Sequence, residues 1–313
     1  MLRENTYESD KSWRRLQRYL PKRNRLTRSS LPAEEYITVG NFRVHADHYL
    51  PAKPLAQVLI IHGVGGNGRL LSFIAVPLYR LGYEVICPDL PLYGLTTYGR
   101  TTVSYKDWET VAEQVAGYYR TAGLPLFLFG LSAGGLLAYE TACRVDNARG
   151  LIATCLLDQR IPEVTRATAN NPVTAIAGKP FLKAVHKLIG NLKLPMKSVC
   201  NMDAIVNNEA VRDILVHDRL ASGASVTLEF LYGMLKPELT IEPEVFDKCP
   251  VLFTQPEKDR WTEEKLSRLF FDKLPVNKER VLLPGAGHFP IEEEGLLALE
   301  KSCDEFMQKS LKG

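Results

Sequence analysis

A serine lies between two glycines in the sequence Gly130-Leu131-Ser132-Ala133-Gly134. The apolar run Leu126–Phe129 before it predicts a short buried strand, and residues Gly134–Val145 behind it predict a helix. A G-x-S-x-G turn between a strand and a helix exposes the serine Oγ at the edge of a sheet. The helix N-terminus there favours developing negative charge. These features predict that Ser132 is a nucleophile.

A serine hydroxyl becomes a good nucleophile only when a base removes its proton. The best candidate base is His288, which lies in the glycine-containing loop 284–290 directly after the last predicted strand. The other histidines fit less well, because they fall in an N-terminal hairpin, in a later helical segment or at the end of another strand: His45, His48, His186, His217 and His62. We therefore expect His288 to activate Ser132.

The histidine in turn needs a carboxylate that fixes its tautomer and stabilises the imidazolium. Asp259 is the first candidate, because it follows the predicted strand Val251–Thr254 and precedes His288. Asp158, after an earlier strand, and Glu257 remain alternatives. The order Ser132, Asp259, His288 along the chain is typical of a serine nucleophile on a strand–turn–helix scaffold.

A glycine-rich loop, residues 62–68, follows the predicted strand Val58–Ile61. Small residues there allow backbone N–H groups to point at an anion, so the Val64 and Ala133 amides are expected to form an oxyanion hole. A phosphate-binding loop is the alternative. However, the loop lacks both the G-K-[ST] ending and the G-x-G-x-x-G spacing of such loops.

The elements needed to position these residues follow from short apolar runs. A hairpin is predicted around Gly40-Asn41, followed by runs typical of strands buried on both faces. The predicted strands are Tyr36–Val39, Phe42–Tyr49, Val58–Ile61, Glu84–Cys87, Leu126–Phe129, Leu151–Leu157, Val251–Thr254 and Arg280–Leu283, and the helices between the earlier ones are Leu70–Leu81, Trp108–Tyr119 and Leu136–Val145. This alternation predicts an α/β fold with a mostly parallel sheet flanked by helices.

The alternation is interrupted between residues 159 and 248, where we expect a helical cap inserted over the carboxyl ends of the strands. The core would then comprise residues 35–158 and 249–313. Within the cap, a stripe opposite Lys179, Lys183 and Lys187 is expected to pack inward, with a membrane face as the alternative; it comprises Phe181, Leu182, Val185, Leu188 and Ile189. Apolar side chains of this stripe and of Val226–Leu235 are expected to line an acyl pocket.

Residues 1–34 form a basic N-terminal arm in which Trp13, Leu16 and Leu20 fall on one face of a short helix ended by Pro21. Either a helix docked on the body or a loose tail is expected. Weak attraction of the basic side chains to an anionic membrane surface is a third interpretation. Because the arm supplies none of the candidate residues, we expect it to be dispensable for chemistry.

The composition is that of an ordinary globular protein: 313 residues, 45% hydrophobic and 24% charged. A net charge of +3 is too small to indicate a nucleic-acid partner. Six scattered cysteines without a C-x-x-C pair favour free thiols in a reducing compartment, and no signal peptide is recognisable, so we expect a cytoplasmic protein. The uncharged span Thr121–Tyr139 contains a proline and four glycines, which argues against a membrane helix. The oligomeric state stays open.

Together these motifs resemble the α/β-hydrolase superfamily over about residues 36–310, in particular the branch of monoacylglycerol lipases, lysophospholipases and serine aminopeptidase-like hydrolases. The resemblance rests on His62-Gly63, Asp89–Thr96, Gly130–Gly135, Asp259 and Gly285–Pro290. Two positions depart from the family pattern: Leu131 replaces a common histidine, and Leu92 replaces a common glycine. The resemblance implies no metal and no organic cofactor.

The predicted function is a serine hydrolase that cleaves carboxylic esters, either a carboxylesterase or a monoacylglycerol-lipase-like enzyme, through an acyl-enzyme intermediate. The expected partner is a small ester or lipid-like substrate. Monoesters with short-to-medium acyl chains, or monoacylglycerols, are expected to be hydrolysed in preference to amides. A peptidase or acyltransferase of the same fold, or a ligand receptor that kept the fold, remains an alternative. A peptidase would need a carboxylate in the cap for the substrate amine, and the candidates are Glu163, Glu209 and Glu229.

Overall fold

A computed structural model describes residues 5–99 and 102–312, without the side chains of residues 172–179 and 181. Within this part of the chain, nine strands form one sheet and two more form a small separate pair. The strands are β1 (Ala33–Val39), β2 (Phe42–Tyr49), β3 (Gln57–Ile61), β4 (Glu84–Pro88), β5 (Thr97–Tyr98), β6 (Leu126–Leu131), β7 (Ala148–Thr154), β8 (Lys193–Pro195), β9 (Ser225–Thr227), β10 (Val251–Pro256) and β11 (Lys278–Leu283).

The main sheet has the order β1-β2-β4-β3-β6-β7-β10-β11, and β5 pairs with β2. From β4 to β11 every neighbouring pair is parallel, whereas β1, β2 and β5 run antiparallel to their neighbours. The central strands β3, β4, β6 and β10 are buried along their whole length, as their uninterrupted apolar runs predict. The predicted α/β class and mostly parallel sheet are confirmed.

Helices cover this sheet, with α4 packed on β6 and β7, α2 on β4, and α11 on β11. The helices are α1 (Ser12–Leu16), α2 (Ser72–Arg80), α3 (Tyr105–Tyr118), α4 (Ala133–Arg144), α5 (Pro162–Thr168), α6 (Pro172–Ile189), α7 (Met196–Val199), α8 (Glu209–His217), α9 (Leu228–Leu235), α10 (Glu264–Phe271) and α11 (Glu293–Lys312). In the described residues, none of these helices is long and apolar enough to cross a membrane.

The end of β7 differs from the sequence prediction. The apolar run Leu151–Leu157 was expected to be one strand, but the strand starts at Ala148 and ends at Thr154. The next residue, Cys155, has a positive φ of 78°. This conformation ends the extended backbone and is strained for a residue other than glycine. Residues 155–157 are therefore buried without belonging to the sheet.

The N-terminal arm is built into the body of the protein, so the expectation of a loose tail is wrong. Tyr7, Trp13, Leu16 and Leu20 are all buried, although Leu20 lies beyond the end of α1. The arm helix α1 packs against α8, and the Tyr7 hydroxyl donates a hydrogen bond to Asp89 Oδ2 at 2.8 Å. Apolar contact on this scale ties the arm to the fold as firmly as other core segments.

Residues 159–248 contain α5 to α9 and the antiparallel pair β8–β9, with α9 packed against both α6 and α3. The stripe expected to pack inward from α6 does so only in part. Leu182 is buried, but Leu188 is 83% and Ile189 is 40% exposed. Phe181 and Lys179 lie outside the described side chains. The residue boundaries given above for the N-terminal arm, the core and the cap stay predictions.

Candidate active site

Ser132 occupies the sharp turn between β6 and α4. Its backbone angles, φ 56° and ψ −125°, belong to a region that non-glycine residues rarely adopt. The turn is possible because α4 approaches the sheet directly: a side chain at Gly134 would collide with the Ile61 carbonyl of β3. The sequence around Ser132 therefore holds its hydroxyl at the carboxyl end of the central strands, as the motif predicts.

His288 lies beside Ser132, on the loop after β11. The Ser132 hydroxyl and His288 Nε2 are 2.8 Å apart, and His288 Nδ1 is 2.8 Å from Asp259 Oδ2. With Nδ1–H donating to the carboxylate, Nε2 is free to accept the serine proton. Ser132, His288 and Asp259 are 8%, 2% and 9% exposed, which keeps the three groups largely out of water.

The environment of Asp259 favours its charged form. Burial alone would raise the pKa of Asp259, but His288 and hydrogen bonds from Thr262 lower it below its usual value. Conversely, burial alone would lower the pKa of His288, and the adjacent Asp259 carboxylate raises it. The pair can therefore hold a positive charge on the imidazole when His288 takes a proton.

The two alternative acids point elsewhere. Asp158 forms a bidentate ion pair with Arg160, at 2.8 Å for the closest atoms. Glu257 Oε2 accepts a hydrogen bond from the Gly285 amide. Of the three carboxylates considered from the sequence, only Asp259 contacts His288.

The glycine-rich loop after β3 passes close to the start of α4. A Cβ atom at Gly63 would lie 3.0 Å from the Ala133 nitrogen, so the two expected oxyanion donors, Val64 and Ala133, come from neighbouring backbone segments. Within residues 5–99 and 102–312, neither amide donates a hydrogen bond to another group. Both residues line the cavity beside Ser132.

Residues of the inserted segment hold this loop in place. The Ser222 hydroxyl donates to the Gly65 carbonyl at 2.9 Å, and Asn67 Nδ2 donates to the Leu220 carbonyl at 3.1 Å. At its far end, the Gly68 amide donates to Asp89 Oδ1 at 2.7 Å. His62, at the start of the loop, is buried, which lowers its pKa, and its Nε2 accepts from the Leu90 amide.

A cavity of about 270 Å³ extends from Ser132 between the sheet and the inserted segment. Most of its wall is apolar, and Trp261 and Thr262 lie near its catalytic end. The apolar lining residues are Val64, Ala133, Leu136, Leu157, Ala169, Leu182, Leu194, Val199, Leu228, Leu231, Met234 and Leu235. Of these, Leu182, Leu228, Leu231, Met234 and Leu235 belong to the two segments expected there from the sequence. Phe230 instead packs on Trp108, and Tyr232 stacks on His186.

Two residues beside the Asp259–His288 pair were missed in the sequence. Thr262 Oγ1 lies 2.8 Å from Asp259 Oδ2 and 3.0 Å from His288 Nδ1. Cys155 Sγ lies 3.9 Å from the same carboxylate oxygen. Thr262 could have been considered, since it follows Asp259 by three residues, but Cys155 reaches the site only through the fold.

Among residues 5–99 and 102–312, two groups of side chains have the composition of metal ligands, but both are engaged in other contacts. Cys155, Asp259 and His288 belong to the hydrogen-bonded site just described. Glu34, His45 and Asp47 form the second group, and Arg69 makes ion pairs with both of its carboxylates. The sequence expectation of no metal and no organic cofactor stays a prediction.

With this geometry in hand, comparison with known proteins identifies the family. The model of the serine aminopeptidase S33 family of hydrolases matches residues 52–295, more than three quarters of the chain. The chain belongs to this family. The family assignment confirms the α/β-hydrolase resemblance inferred from the sequence motifs.

Individual relatives are distant. The chain is 25% identical to phospholipase YtpA of Bacillus subtilis, over 70% of this chain and 82% of that protein. It is 26% identical to the monoglyceride lipase of Saccharomyces cerevisiae, over 74% of this chain and 77% of that protein. The crystal structure of a soluble variant of the yeast lipase superposes with a TM-score of 0.73, at 18% identity, covering 93% of this chain and 98% of that one. This structural likeness establishes the fold.

Proposed function

We propose that this protein is a serine hydrolase that cleaves carboxylic esters through an acyl-enzyme intermediate. One observation carries the proposal: Ser132, His288 and Asp259 are joined by two 2.8 Å contacts at the base of an apolar cavity. The family match and the lipase and phospholipase relatives support the same class of reaction.

The geometry supplies each step of such a reaction. His288 Nε2 takes the hydroxyl proton as Ser132 Oγ attacks the ester carbonyl carbon, and the carbonyl oxygen gains the negative charge. The Val64 and Ala133 amides donate to that oxygen. When the carbon–oxygen bond to the alcohol breaks, His288 returns the proton to the departing alkoxide and leaves an ester on Ser132. Water then attacks this ester by the same route and releases the acid.

An ester fits the cavity better than a peptide with a free amino terminus. Among the described residues that line the cavity there is no carboxylate to bind a substrate ammonium group. The candidates considered from the sequence are engaged or exposed: Glu229 binds His186 at 2.7 Å, Glu163 is 59% exposed beside Arg166, and Glu209 is exposed in the first turn of α8. The peptidase alternative is therefore weaker.

The apolar wall points to an acyl chain as the group that enters the cavity. Burial of each methylene contributes roughly 0.8 kcal/mol, or about four-fold in kcat/KM. We infer a lipid-like monoester substrate, of which monoacylglycerols are one class. The yeast relative is a monoglyceride lipase, which supports this class.

The exposed apolar residues suited to a membrane contact lie at the end of α6 rather than on the face of the N-terminal arm that carries Trp13 and Leu16. Trp13, Leu16 and Leu20 of the arm are buried, whereas Leu188, Ile189 and Leu192 are 83%, 40% and 50% exposed. Exposed Lys183 and Lys187 lie on the same helix. We infer that the exposed apolar residues at this end of α6, rather than the arm, meet a lipid surface. All six cysteines are free and buried, which supports a reducing compartment.

The nucleophile is tested by labelling the purified protein with a fluorophosphonate and mapping the adduct by peptide mass analysis. We expect a single adduct on Ser132 and no esterase activity in Ser132→Ala. An adduct on another serine, or parental activity in Ser132→Ala, would contradict the proposal.

The substrate class is tested with matched esters of increasing acyl length beside an aminoacyl amide. The expected result is a rise in kcat/KM along the ester series until the cavity is full, with the amide poorer throughout. Leu231→Trp, which fills the cavity, should move the preferred ester to shorter chains, whereas Leu269→Trp, at a 40% exposed position on α10, should not. A clear preference for the amide would favour the peptidase.

A further inference from the structure

A buried threonine hydroxyl lies at the junction of Asp259 and His288. Thr262 Oγ1 donates a hydrogen bond to Asp259 Oδ2 at 2.8 Å and is 3.0 Å from His288 Nδ1. The residue is 0% exposed although it borders the cavity. A hydroxyl offers one proton and two lone pairs, so it can donate to the carboxylate and accept from Nδ1–H together.

The backbone fixes this hydroxyl. After β10 the chain turns around the Asp259 carboxylate, and Oδ1 accepts hydrogen bonds from the Trp261 and Thr262 amides, both at 2.8 Å. Thr262 therefore donates to each carboxylate oxygen, once from its backbone and once from its side chain. Because Thr262 is β-branched, its χ1 rotation is restricted, and the hydroxyl keeps one orientation.

The imidazole of His288 is thus constrained on two sides. The Trp261 ring packs against it, with ring centres 4.8 Å apart, and the Thr262 hydroxyl meets its Nδ1 edge. The neighbouring Cys155 thiol lies 3.4 Å from Thr262 Oγ1, but a thiol is a weak donor and cannot supply the same contact. We propose that Thr262 is a positioning residue that holds the His288 ring in the orientation needed to accept the Ser132 proton.

The proposal rests on the proposed hydrolase function, and it predicts a specific kinetic pattern. Thr262→Val keeps the shape of the side chain and removes only the hydroxyl. We expect kcat to fall about ten-fold, the effect of losing one hydrogen bond to a charged group, with KM little changed. Thr262→Ser retains the hydroxyl and should recover most of kcat.

The matched control is Thr141→Val, which removes a buried hydroxyl that donates only to the Leu137 carbonyl within α4. We expect parental kcat in this variant. If Thr262→Val does not fold, Thr262→Ala provides a second variant without the hydroxyl. Parental kcat in Thr262→Val, or an equal loss in Thr262→Ser, would overturn the positioning role.

A proton NMR measurement separates this role from the hydrolase function itself. A His288 Nδ1–H shared with a carboxylate gives a far-downfield resonance. It should shift and broaden in Thr262→Val and stay in place in Thr262→Ser and Thr141→Val. The resonance does not depend on turnover, so an unchanged signal in Thr262→Val contradicts the positioning role even if Ser132→Ala shows that the esterase proposal is wrong.

Discussion

The carboxylate of Asp259 is surrounded by donors, with two backbone amides on one oxygen and Thr262 and His288 on the other. Asp158 is also buried, but its charge is balanced by Arg160 and it has no contact with His288. The two aspartates therefore have different roles, although each follows a strand of the same sheet.

Substituting the two aspartates separately tests this difference. In Asp259→Asn the amide group cannot hold the His288 tautomer or stabilise its charge, so we expect kcat to fall by about 10⁴-fold, as in triad enzymes with this change. Asp158→Asn should keep kcat within a small factor of the parent and lower the melting temperature instead. An Asp158→Asn variant that folds but has a greatly lowered kcat would show that Asp158, and not Asp259, is the partner of His288. Circular dichroism of both variants monitors folding.

Leu92 is a second informative residue, because it stands where the family pattern has glycine. Its φ is 82°, in the left-handed region that glycine adopts without strain. The expected order of stability is therefore unusual: Leu92→Gly should be about 1 kcal/mol more stable than Leu92→Ala. Both variants lose the same packing, so the difference in urea unfolding isolates the backbone strain. An Ala variant at least as stable as Gly would show that the loop relaxes.

At the scale of elements, the arm contributes more than its place at the chain terminus indicates. It joins α2 through Asn24 Nδ2, which donates to the Phe73 carbonyl, and the body of the sheet through Tyr7. Through α1 it also supports α8, whose Leu215 borders a small recess beside Ser132 and His288. Its removal should therefore affect both folding and the site.

A protein that starts at Leu31 tests this inference, and its rate on a soluble ester tests the expectation that the arm is dispensable for chemistry. We expect a melting temperature lower by many degrees, since four large buried side chains are lost at roughly 1.5–3 kcal/mol each. Arg14→Ala and Arg18→Ala, in which only exposed side chains change, should leave the melting temperature near that of the parent. Parental stability in the truncated protein would show that the arm is only loosely docked.

These elements also show where sequence reasoning reaches its limit. Ser132 and its turn are readable because the strand, the glycines and the helix are adjacent in the chain. The contact between Tyr7 and Asp89 spans 82 residues and has no periodic signature, so the arm could not be placed. Similarly, the spacing of the apolar stripe that ends with Leu188 and Ile189 predicts one face of a helix. Only the fold decides whether another element covers that face.

At the scale of the whole molecule, a buried polar network connects the arm, the β1–β2 hairpin and the loops around the site. His45 Nδ1 lies 3.0 Å from Asp89 Oδ2, and its Nε2 lies 3.1 Å from Glu34 Oε2. Arg69 binds Asp47 through two nitrogens. The Tyr7 hydroxyl and the Gly68 amide both donate to Asp89, so one carboxylate links the arm to the loop beside Ser132.

This network predicts a pH dependence of stability. Burial alone would lower the pKa of His45, but Asp89, Glu34 and Asp47 raise it to about 10 from 6.5. A histidine whose pKa rises on folding stabilises the folded state fully at pH values below its pKa in the unfolded state. This contribution is lost as pH rises toward 10. The unfolding free energy of the parent should exceed that of His45→Gln most at pH 6, with the difference shrinking toward pH 10. A difference independent of pH would contradict a charged His45; His217→Gln, at an exposed position, is the control.

The chain order of the candidate site has a consequence for synthesis. Ser132 and its partner His288 are 156 residues apart, and the segment that roofs the cavity is made between them. At 5–20 residues per second, the ribosome exposes the serine motif roughly 10–30 s before the histidine emerges. Throughout that interval the nascent chain carries the proposed nucleophile, Ser132, without its proposed base, His288. Under the proposed mechanism, ester cleavage therefore begins only after residue 288 has been made.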